Sequence, residues 1–494
     1  MLESAYMAFS SKAVRTFLFT VGALVGIVLL TALALLLFFD INGYKPRVEA
    51  ALSSALRMTV TIEGPLRLAL LPGLRVTLEN VRVRNQGAEL ALVQEVDLAI
   101  PLLSLFEEKI RYSNIAAKGA RISIERYGDG NGKRNNYERQ PTDSRQSRPL
   151  DLPKISFAGL TVVYADKQSE SQLEFNTCKG ELNDMRNPGG EPFLKQLSFR
   201  GQFSCGEVRG KGKGSPATDL KFSVVAREGV FDFAPITIQA YGGQGSAKLR
   251  VDRSREVPTL ELSVTLSKFR IEELLKPLSS PSSASSGKSV SGPMNFSTSL
   301  TARGASRLAM RQSAQGDMSL SGSNLKLAGV DLDGQLRKFE LSQNLSLLDV
   351  SALLIAGPVS LVVTKGFELA TPVRQAGVST SIHNVISRWK VEKGIAHAVD
   401  VALTTDENRV AVQGNLDFVG DTYQGIVVAL VDANGCAKAR QKISGPFNKP
   451  VADQSNILVP VGPLLKLLDS AKKLILGSSD NCEVFYSGSL PSPK

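Results

Sequence analysis

The sequence is poor in aromatic residues. Phe, Trp and Tyr make up 6% of its 494 residues, and Trp389 is the only tryptophan. Leu, Val and Ile must therefore supply most of the buried apolar surface. The net charge of +11 comes from basic residues spread along the chain, apart from a cluster between residues 133 and 148, and aromatic residues do not alternate with them. This pattern disfavours a stacking platform, so we predict a solvated polar face and no nucleic-acid partner.

Histidine is also scarce, with only His383 and His397 in the chain. Neither has Cys, Asp or Glu at metal-ligand spacing, which disfavours a zinc site or a histidine base. GKS at 287–289 lacks the earlier glycine of a phosphate-binding loop, and DLDG at 331–334 lacks the later glycine and glutamate of a calcium loop. We predict no catalytic residues, no metal and no cofactor, and a hydrolase is the least favoured class of function.

Long uncharged runs are limited to one segment, from Phe17 to Phe39. As a helix it would rise about 35 Å, enough to cross a hydrocarbon core of about 30 Å. We predict a transmembrane anchor over residues 17–39, preceded by a cytoplasmic N-terminus over residues 1–16. A cleaved signal peptide is the alternative, because ALA at 32–34 resembles a cleavage site, but further apolar residues follow it.

Cysteine occurs four times, and every copy follows the anchor: Cys178, Cys205, Cys436 and Cys482. An even number on one side of a membrane suits an oxidising compartment. Three connectivities are open, and pairing the neighbours in sequence is the short-range choice; four unpaired thiols in a cytosolic tail are the alternative. Basic residues flank the anchor almost equally, so the cysteines decide the orientation. We predict that residues 40–494 lie in a bacterial periplasm.

Beyond the anchor, apolar residues recur at every second position, which indicates β-strands. In TVTIEGPLRLALLPGLRVTLENVRV, residues 59–83, a proline turn separates two strands and a slip near Asn80 shifts the pattern by one residue. We predict antiparallel sheet with one apolar and one wet face, and roughly 30 strands at about 14 residues per strand and turn. The same pattern recurs in ARISIERY (120–127), LKFSVVA (220–226), AKLRV (247–251), TLELSVTL (259–266) and VDVALTTDENRVAVQGNLDF (399–418).

Helical spacing interrupts this pattern in three short segments. KPRVEAALSSALRM, residues 45–58, is predicted to cap the end of a sheet, and FRIEELLKPL, residues 269–278, is a second helical segment. An amphipathic helix at 462–476 is expected to pack across a sheet end, with membrane or partner docking as the alternative. The Ser/Pro-rich stretch 279–292 is predicted to be a linker or long loop. It separates a middle β region, 141–278, from a C-terminal β region, 293–494.

Several motifs together suggest a family. After the predicted anchor come INGYKPRVEAALSSALRMTVTIEGPLRLALLPGLRVTLENVRVRN and then DLAIPLLSLFEEKIRYSNIAAKGARISIERYGDGNGKRNN. This order of parts closely resembles the N-terminal region of AsmA-family inner-membrane proteins, over residues 40–140. LPKISFAGLTVVYAD, NLSLLDVSALLIAGP and the tail from Cys436 to Cys482 resemble the same family more loosely.

The resemblance implies a fold related to chorein-like repeating-β bridge proteins. That fold class is mainly β: a long curled antiparallel sheet forming a groove, with a few short amphipathic helices and one N-terminal transmembrane helix. Alternation alone would favour a closed sandwich, whereas the resemblance favours an open groove. The predicted groove residues are Ile62, Leu66, Leu68, Leu70, Leu74, Val76, Leu78, Val81, Val83, Ile122 and Ile124.

The function implied by the resemblance is support of outer-membrane biogenesis. The groove would hold or conduct phospholipid between membranes by its acyl chains, and residues 17–39 would hold the chain in the inner membrane. The alternative is an anchored scaffold or regulator of outer-membrane protein assembly or targeting, with an envelope protein as its partner and no lipid transport. Neither function needs covalent chemistry, so we do not expect an enzyme.

Overall fold

The computed structural model of the chain describes its folded part in several segments. The predicted N-terminus 1–16, the predicted anchor 17–39, the basic residues of the cluster between 133 and 148 and the predicted amphipathic helix 462–476 lie outside the described residues. The described residues are 41–56, 58–69, 73–85, 87–101, 113–127, 135–136, 149–167, 171–189, 193–210, 217–275, 289–342, 354, 378–453, 482 and 484–493. Among them, no helix is both long and apolar enough to cross a membrane.

The described residues are mainly β and form 21 strands assigned to one long, mostly antiparallel sheet. The strands are β1 Thr59–Ile62, β2 Leu66–Ala69, β3 Leu74–Asn85, β4 Ala88–Ile100, β5 Asn114–Arg126, β6 Leu150–Asp166, β7 Ser171–Asn187, β8 Ser198–Gly210, β9 Ala217–Arg227, β10 Val230–Ala240, β11 Gly243–Asp252, β12 Thr259–Arg270, β13 Ser289–Ser291, β14 Pro293–Arg303, β15 Gln315–Ala328, β16 Ser379–Glu392, β17 Ile395–Thr404, β18 Arg409–Asp417, β19 Thr422–Val431, β20 Ala437–Pro446 and β21 Val451–Ala452.

The helices are short, as predicted, but the segment predicted as helical over 269–278 is helical only at 271–275: Phe269 and Arg270 end strand β12, and residues 276–278 lie outside the described residues. A 3-10 helix, Ile41–Tyr44, precedes α1 Lys45–Leu56, and the others are α2 Phe193–Gln196, α3 Ile271–Leu275, α4 Arg307–Ser313 and α5 Leu332–Ser342. All strand segments predicted from alternation are strands, and the turn predicted at DEN lies between β17 and β18. The described residues contain 21 strands, against a prediction of roughly 30 for the whole chain; the longest, β6 and β7, have 17 residues each.

Strands that follow each other in the sequence pair with each other. From β7 to β12 and from β14 to β20, each strand is antiparallel to the next one. β12 pairs with β14, while the short β13 pairs with the end of β15. Part of the predicted linker at 279–292, namely Ser289–Ser291, is therefore strand β13, and residues 279–288 lie outside the described residues.

The chain divides into two compact units, described separately below. The first consists of residues 1–142 and 152–160, and the second of residues 143–151 and 161–494. The first has a core of Val60, Ile62, Leu66, Leu78 and Val81. The predicted positions of the domain boundaries remain a prediction.

Helix α1 packs on the core of the first unit and covers the edge strand β1. Its Val48 and Leu52 side chains contact the core. The Ser53 hydroxyl accepts a hydrogen bond from the Val60 N–H at 2.9 Å, and the Glu49 carboxylate accepts one from the Ile62 N–H at 2.6 Å. Because these N–H groups belong to an edge strand, α1 satisfies them and blocks further strand pairing there.

The second unit contains the largest apolar core, formed mostly by one face of β15–β20. Leu403, Val410, Ile426 and Val428 are each 0% exposed. Helix α5 covers part of this core through Leu332 and Leu336, and Trp389 is 1% exposed within it. We call this cluster the sealed core.

The opposite face is also covered over part of β17–β19, contrary to the prediction of one wet face per strand, whereas Lys390 on β16 and Lys442 on β20 stay exposed on that side. Residues 484–490, which we call the C-terminal strap, pack Phe485 and Tyr486 against this face. The face beneath them is built from the small or β-branched side chains of Ala402, Ala411, Ala429 and Val431. The strands of this region are thus buried on both sides, which alternation alone does not indicate.

Candidate functional site

The predicted groove residues of the first unit share one face of its sheet. The register sets Leu68 opposite Val76, Leu66 opposite Leu78, and Ile62 opposite Val81. It also links Val83 to Ile122 through Ala91. Directly opposed residues point to the same side of an antiparallel sheet, so all ten described members lie together. Leu70 lies outside the described residues.

These ten residues differ in exposure. Ile62, Leu66, Leu78 and Val81 are 2–5% exposed, because α1 and neighbouring side chains cover them. The half-buried members are Leu68, Leu74, Val76, Val83, Ile122 and Ile124. Contact of any of these side chains with lipid stays a prediction.

The predicted slip near Asn80 is a change of backbone conformation. Asn80 has φ of +52°, in the left-handed region, and Leu78 and Val81 lie on the same face although they are three residues apart. Asn tolerates this region better than most residues. On β5, which β4 separates from β3, Gly119 has φ of +59° at the equivalent level, opposite Gln94 of β4. The left-handed residue in each strand shifts the alternation by one residue. The apolar side chains before and after it therefore stay on the same face of the sheet.

The opposite face of the first unit carries paired charges. Lys118 forms ion pairs with Glu95 and, at 3.2 Å, with Asp97, and the Thr77 hydroxyl donates to Asp97 at 2.6 Å. Burial would raise the pKa of Asp97, but the hydrogen bonds from Thr77 and Lys118 outweigh it and hold that pKa below its ordinary value. This face is wet and charged, in agreement with the predicted alternation.

A second apolar face extends over β8–β14 within the second unit, and sequence analysis did not single it out as a site. We call it the middle apolar face. Its side chains are half-buried, while the residues between them along β11 and β12 are exposed. Its members are Phe203, Phe222, Phe233, Ile236, Ala247, Leu249, Leu262, Val264 and Leu300.

The register aligns the middle apolar face in rows across the strands. One row runs from Phe233 through Leu249 and Leu262 to Leu300. The row beside it runs through Ile236, Ala247 and Val264. A cleft of about 640 Å³ spans β10, β11, β12, β14 and β15; its lining combines Ile236 and Val264 with many polar residues, among them Ser246, Ser263 and Thr265. Its volume is within the range of about 300–1,000 Å³ found for ligand pockets.

Aromatic rings extend this face at one side. Phe203 and Phe222 stack with their ring centroids 5.0 Å apart, and Phe233 lies 6.4 Å from Phe222. The other face of the same strands is polar, with a 2.7 Å hydrogen bond between the hydroxyls of Ser246 and Thr265 and a 3.3 Å ion pair between Arg250 and Asp232. The alternation TLELSVTL in β12 is the sequence signal that could have identified this site.

All four cysteines form disulfides. Cys178 is joined to Cys205 across β7 and β8, and Cys436 is joined to Cys482 just before the C-terminal strap. This is the short-range connectivity among the three possible ones. Two disulfides indicate an oxidising compartment.

The two histidines have ordinary polar partners. His383 contacts the Asp406 carboxylate at 2.7 Å at an exposed position, and His397 contacts the Asn415 side chain at 2.8 Å. Within the described part of the chain, no cluster of three or more His, Cys, Asp or Glu side chains is arranged to hold a metal ion.

Comparisons with known proteins agree with the repeated-strand organisation. The model of the AsmA family matches residues 15–215 and 209–400, which is most of the chain. Comparisons with curated proteins and with solved structures return no match. The match includes the first unit, the middle apolar face and part of the sealed core. The resemblance inferred from the sequence is thereby confirmed, and the chain belongs to the AsmA family.

Proposed function

We propose that the protein holds or conducts phospholipid between the inner and outer membranes, and so supports outer-membrane biogenesis. The observation that carries the proposal is the middle apolar face, where rows of aliphatic side chains stay half-buried in the described part of the chain. An apolar sheet face needs cover from a second layer or from a ligand. Acyl chains supply such cover.

The energetics favour this occupant. Each methylene group transferred from water to an apolar surface gains about 0.8 kcal/mol, so ten methylenes gain about 8 kcal/mol. The headgroup can remain in water while only the acyl chain lies against the apolar face. Binding of this kind needs no covalent chemistry, so the proposed role is not enzymatic.

The proposed location rests on two features. The predicted anchor, residues 17–39, would hold the chain in the inner membrane, and the two disulfides support a periplasmic position for the strands. The first unit would then follow the membrane directly, with the half-buried residues Leu68, Val76 and Val83 as its proposed lipid contacts.

Photo-crosslinking at adjacent residues tests the proposal. A photoreactive amino acid replaces Leu262, on the middle apolar face, or its neighbour Ser263, on the polar face of β12. The full-length proteins are irradiated in cells, and adducts are identified by mass spectrometry. We expect phospholipid adducts at position 262 and several-fold fewer at position 263.

A charge substitution provides the second test. Leu249→Asp, Leu262→Asp and Leu300→Asp together place three charges in one apolar row and should abolish lipid co-purification. The matched control is Lys248→Asp, Ser263→Asp and Ser299→Asp, which occupy the neighbouring row on the polar face. Equal lipid content in both proteins, each folded by circular dichroism, would reject the lipid role.

A scaffold or regulator of outer-membrane protein assembly is the second candidate. The sealed core favours it, because strands buried on both faces offer no apolar furrow in the described residues and resemble an ordinary folded module. Stoichiometric crosslinking to an envelope protein, without lipid adducts at position 262, is the result that would favour this function over lipid transfer.

A further inference from the structure

The C-terminal strap crosses β17–β19 on the face opposite the sealed core, with a bend at Gly488 and Ser489. Phe485 and Tyr486 are 7% and 8% exposed, and beneath them lie Ala402, Ala411 and Ala429, which the register sets side by side on β17, β18 and β19. Three adjacent alanines leave room above the sheet. The aromatic rings fill that space.

The sheet holds the strap largely through its backbone. The Gln413 amide donates to the Phe485 carbonyl at 2.6 Å, and the Arg409 guanidinium donates to the Leu490 carbonyl at 2.9 Å. The N–H groups of Phe485 and Tyr486 both donate to the Gly435 carbonyl, at 2.9 and 3.0 Å. Hydrogen bonds to main-chain groups at both ends of a segment are typical of peptide recognition.

One buried carboxylate accepts hydrogen bonds from two side chains of the strap. Asp400, 3% exposed, accepts hydrogen bonds from the Tyr486 hydroxyl and from the Ser489 hydroxyl, each at 2.6 Å. A methyl group added at Gly488 would overlap this carboxylate, so only glycine permits the approach. The Arg409 guanidinium also lies over the Tyr486 ring, 5.3 Å from its centroid.

The side chains that bind the strap also have hydrogen-bond partners within the sheet and its turns, which hold them in place. Arg388 pairs with Asp400 at 2.6 Å, and Arg409 donates to the Asp432 carbonyl at 2.5 Å. Side chains held in this way are preorganised, which lowers the entropic cost of binding a peptide. The Cys436–Cys482 disulfide fixes the chain just before the strap, which raises the effective concentration of the strap at its site.

We infer that this face is a saturable binding site for a peptide with the chemistry of FYSGS, occupied here by the chain's own strap. The recognition elements are two adjacent aromatic residues, a glycine and a flanking serine hydroxyl. The same segment of a second copy of this chain fits the site equally well once the local strap is released. This site is independent of the proposed lipid-binding face.

The test releases the strap without removing it. A protease recognition sequence is inserted between Cys482 and Val484 in the full-length protein, which is then cut after purification. A fluorescent peptide of residues 484–493 is added, and its anisotropy is measured. We expect saturable binding to the cut protein and at least tenfold weaker binding to the uncut protein, whose site is filled.

Two variants establish specificity. Asp400→Asn in the cut protein, and Gly488→Ala in the peptide, should each weaken binding at least tenfold. The matched control is Asp421→Asn, which breaks an exposed ion pair with Arg311 on the same unit and should leave binding unchanged.

Three results would overturn the inference. The first is a cut protein that stays folded but binds no peptide, and the second is a cut protein that unfolds, which would make the strap an integral part of the fold. Equal binding to cut and uncut protein would place the peptide elsewhere.

Discussion

The middle apolar face and the sealed core lie in the same unit but differ in sequence and in cover: β11 and β12 alternate apolar and polar residues, whereas β19 contains the continuous apolar run IVVALV at 426–431. In β11 and β12 the apolar side chains stay half-buried and the alternate positions are exposed. In β17–β19 one face packs into the sealed core and the other lies under the C-terminal strap. Alternation therefore determines which side of a strand is apolar, whereas distant segments determine whether that side is closed.

This difference has a functional meaning under the proposed role. A half-buried row can exchange its cover, because a ligand replaces water at little cost in packing. A fully packed core cannot, since its interior already has the density of an organic crystal. We therefore assign lipid contact to the middle apolar face and structural support to the sealed core.

Removing the disulfide beside the strap should have the largest effect. Cys436→Ser with Cys482→Ser opens a link between residues 46 apart, and the chain-entropy relation gives about 4 kcal/mol for a loop of this length. Trp389, the only tryptophan, lies in the sealed core and reports its unfolding by fluorescence in urea. The control pair is Cys178→Ser with Cys205→Ser, in β7 and β8, which should leave the Trp389 transition in place. Equal shifts from both pairs would mean that the two regions unfold as one.

Truncating a leucine in each region tests the difference in cover directly. Leu403→Ala, at a position 0% exposed, should cost about 3 kcal/mol because it leaves a cavity. Leu262→Ala, at a half-buried position, should cost about 1 kcal/mol. Urea denaturation of the full-length proteins measures both. If the two costs were similar, the middle apolar face would be as closed as the sealed core.

Asp400 should make the strap sensitive to acid. Burial alone would raise its pKa, but hydrogen bonds from Ser489, Tyr486 and Arg388 outweigh burial and lower the pKa. The stability this carboxylate contributes is present above its unfolded pKa of about 3.9 and is lost as pH falls through the folded value. Asp400→Asn should therefore cost about 2 kcal/mol at pH 7 and progressively less below pH 4.

The matched control for this pH dependence is Asp421→Asn. Its carboxylate pairs with Arg311 at an exposed position, where an ion pair contributes less than about 1 kcal/mol. Urea midpoints followed by Trp389 fluorescence at pH 7 and pH 3 measure both variants. A constant difference between wild type and Asp400→Asn across this range would exclude the carboxylate as the source.

The smallest effect is expected at the phase switch of the first unit. Asn80→Val should cost about 1 kcal/mol, because a β-branched residue tolerates the left-handed conformation poorly, whereas Asn80→Gly should be nearly neutral. Amide hydrogen exchange of β3 and β4 measures the difference. If the amide protection of β3 and β4 were the same in Asn80→Val as in the wild type, the left-handed conformation at position 80 would not be needed to keep this face apolar.

Some of these features could be predicted from local pattern. The slip at Asn80 was visible because Leu78 and Val81 break the alternation, and the strands of TLELSVTL and LKFSVVA follow it directly. Alternation fails at Val399, which shares its parity with the buried Val401 and Leu403 of β17 but is 63% exposed. An irregularity in the pairing between His397 and Ala402 shifts the strand, and its sequence carries no glycine or proline to signal it.

The C-terminal strap could not be predicted for a different reason. VFYSGSL has neither strand nor helix periodicity, and its main partner, Asp400, is 86 residues away from Tyr486. Helix α5 was missed as well, although Leu332 and Leu336 are spaced by one helical turn. Contacts between distant segments depend on the completed sheet, so a local pattern carries little information about them.

Pairing between sequence neighbours also bears on how the second unit is assembled. Because each strand from β14 to β20 needs only the preceding one as its template, a chain delivered end first can add hairpins in order. In such an arrangement a whole hairpin can be gained or lost while the other strands keep their pairing. The number of strands in this part of the sheet can therefore change in steps of two during evolution.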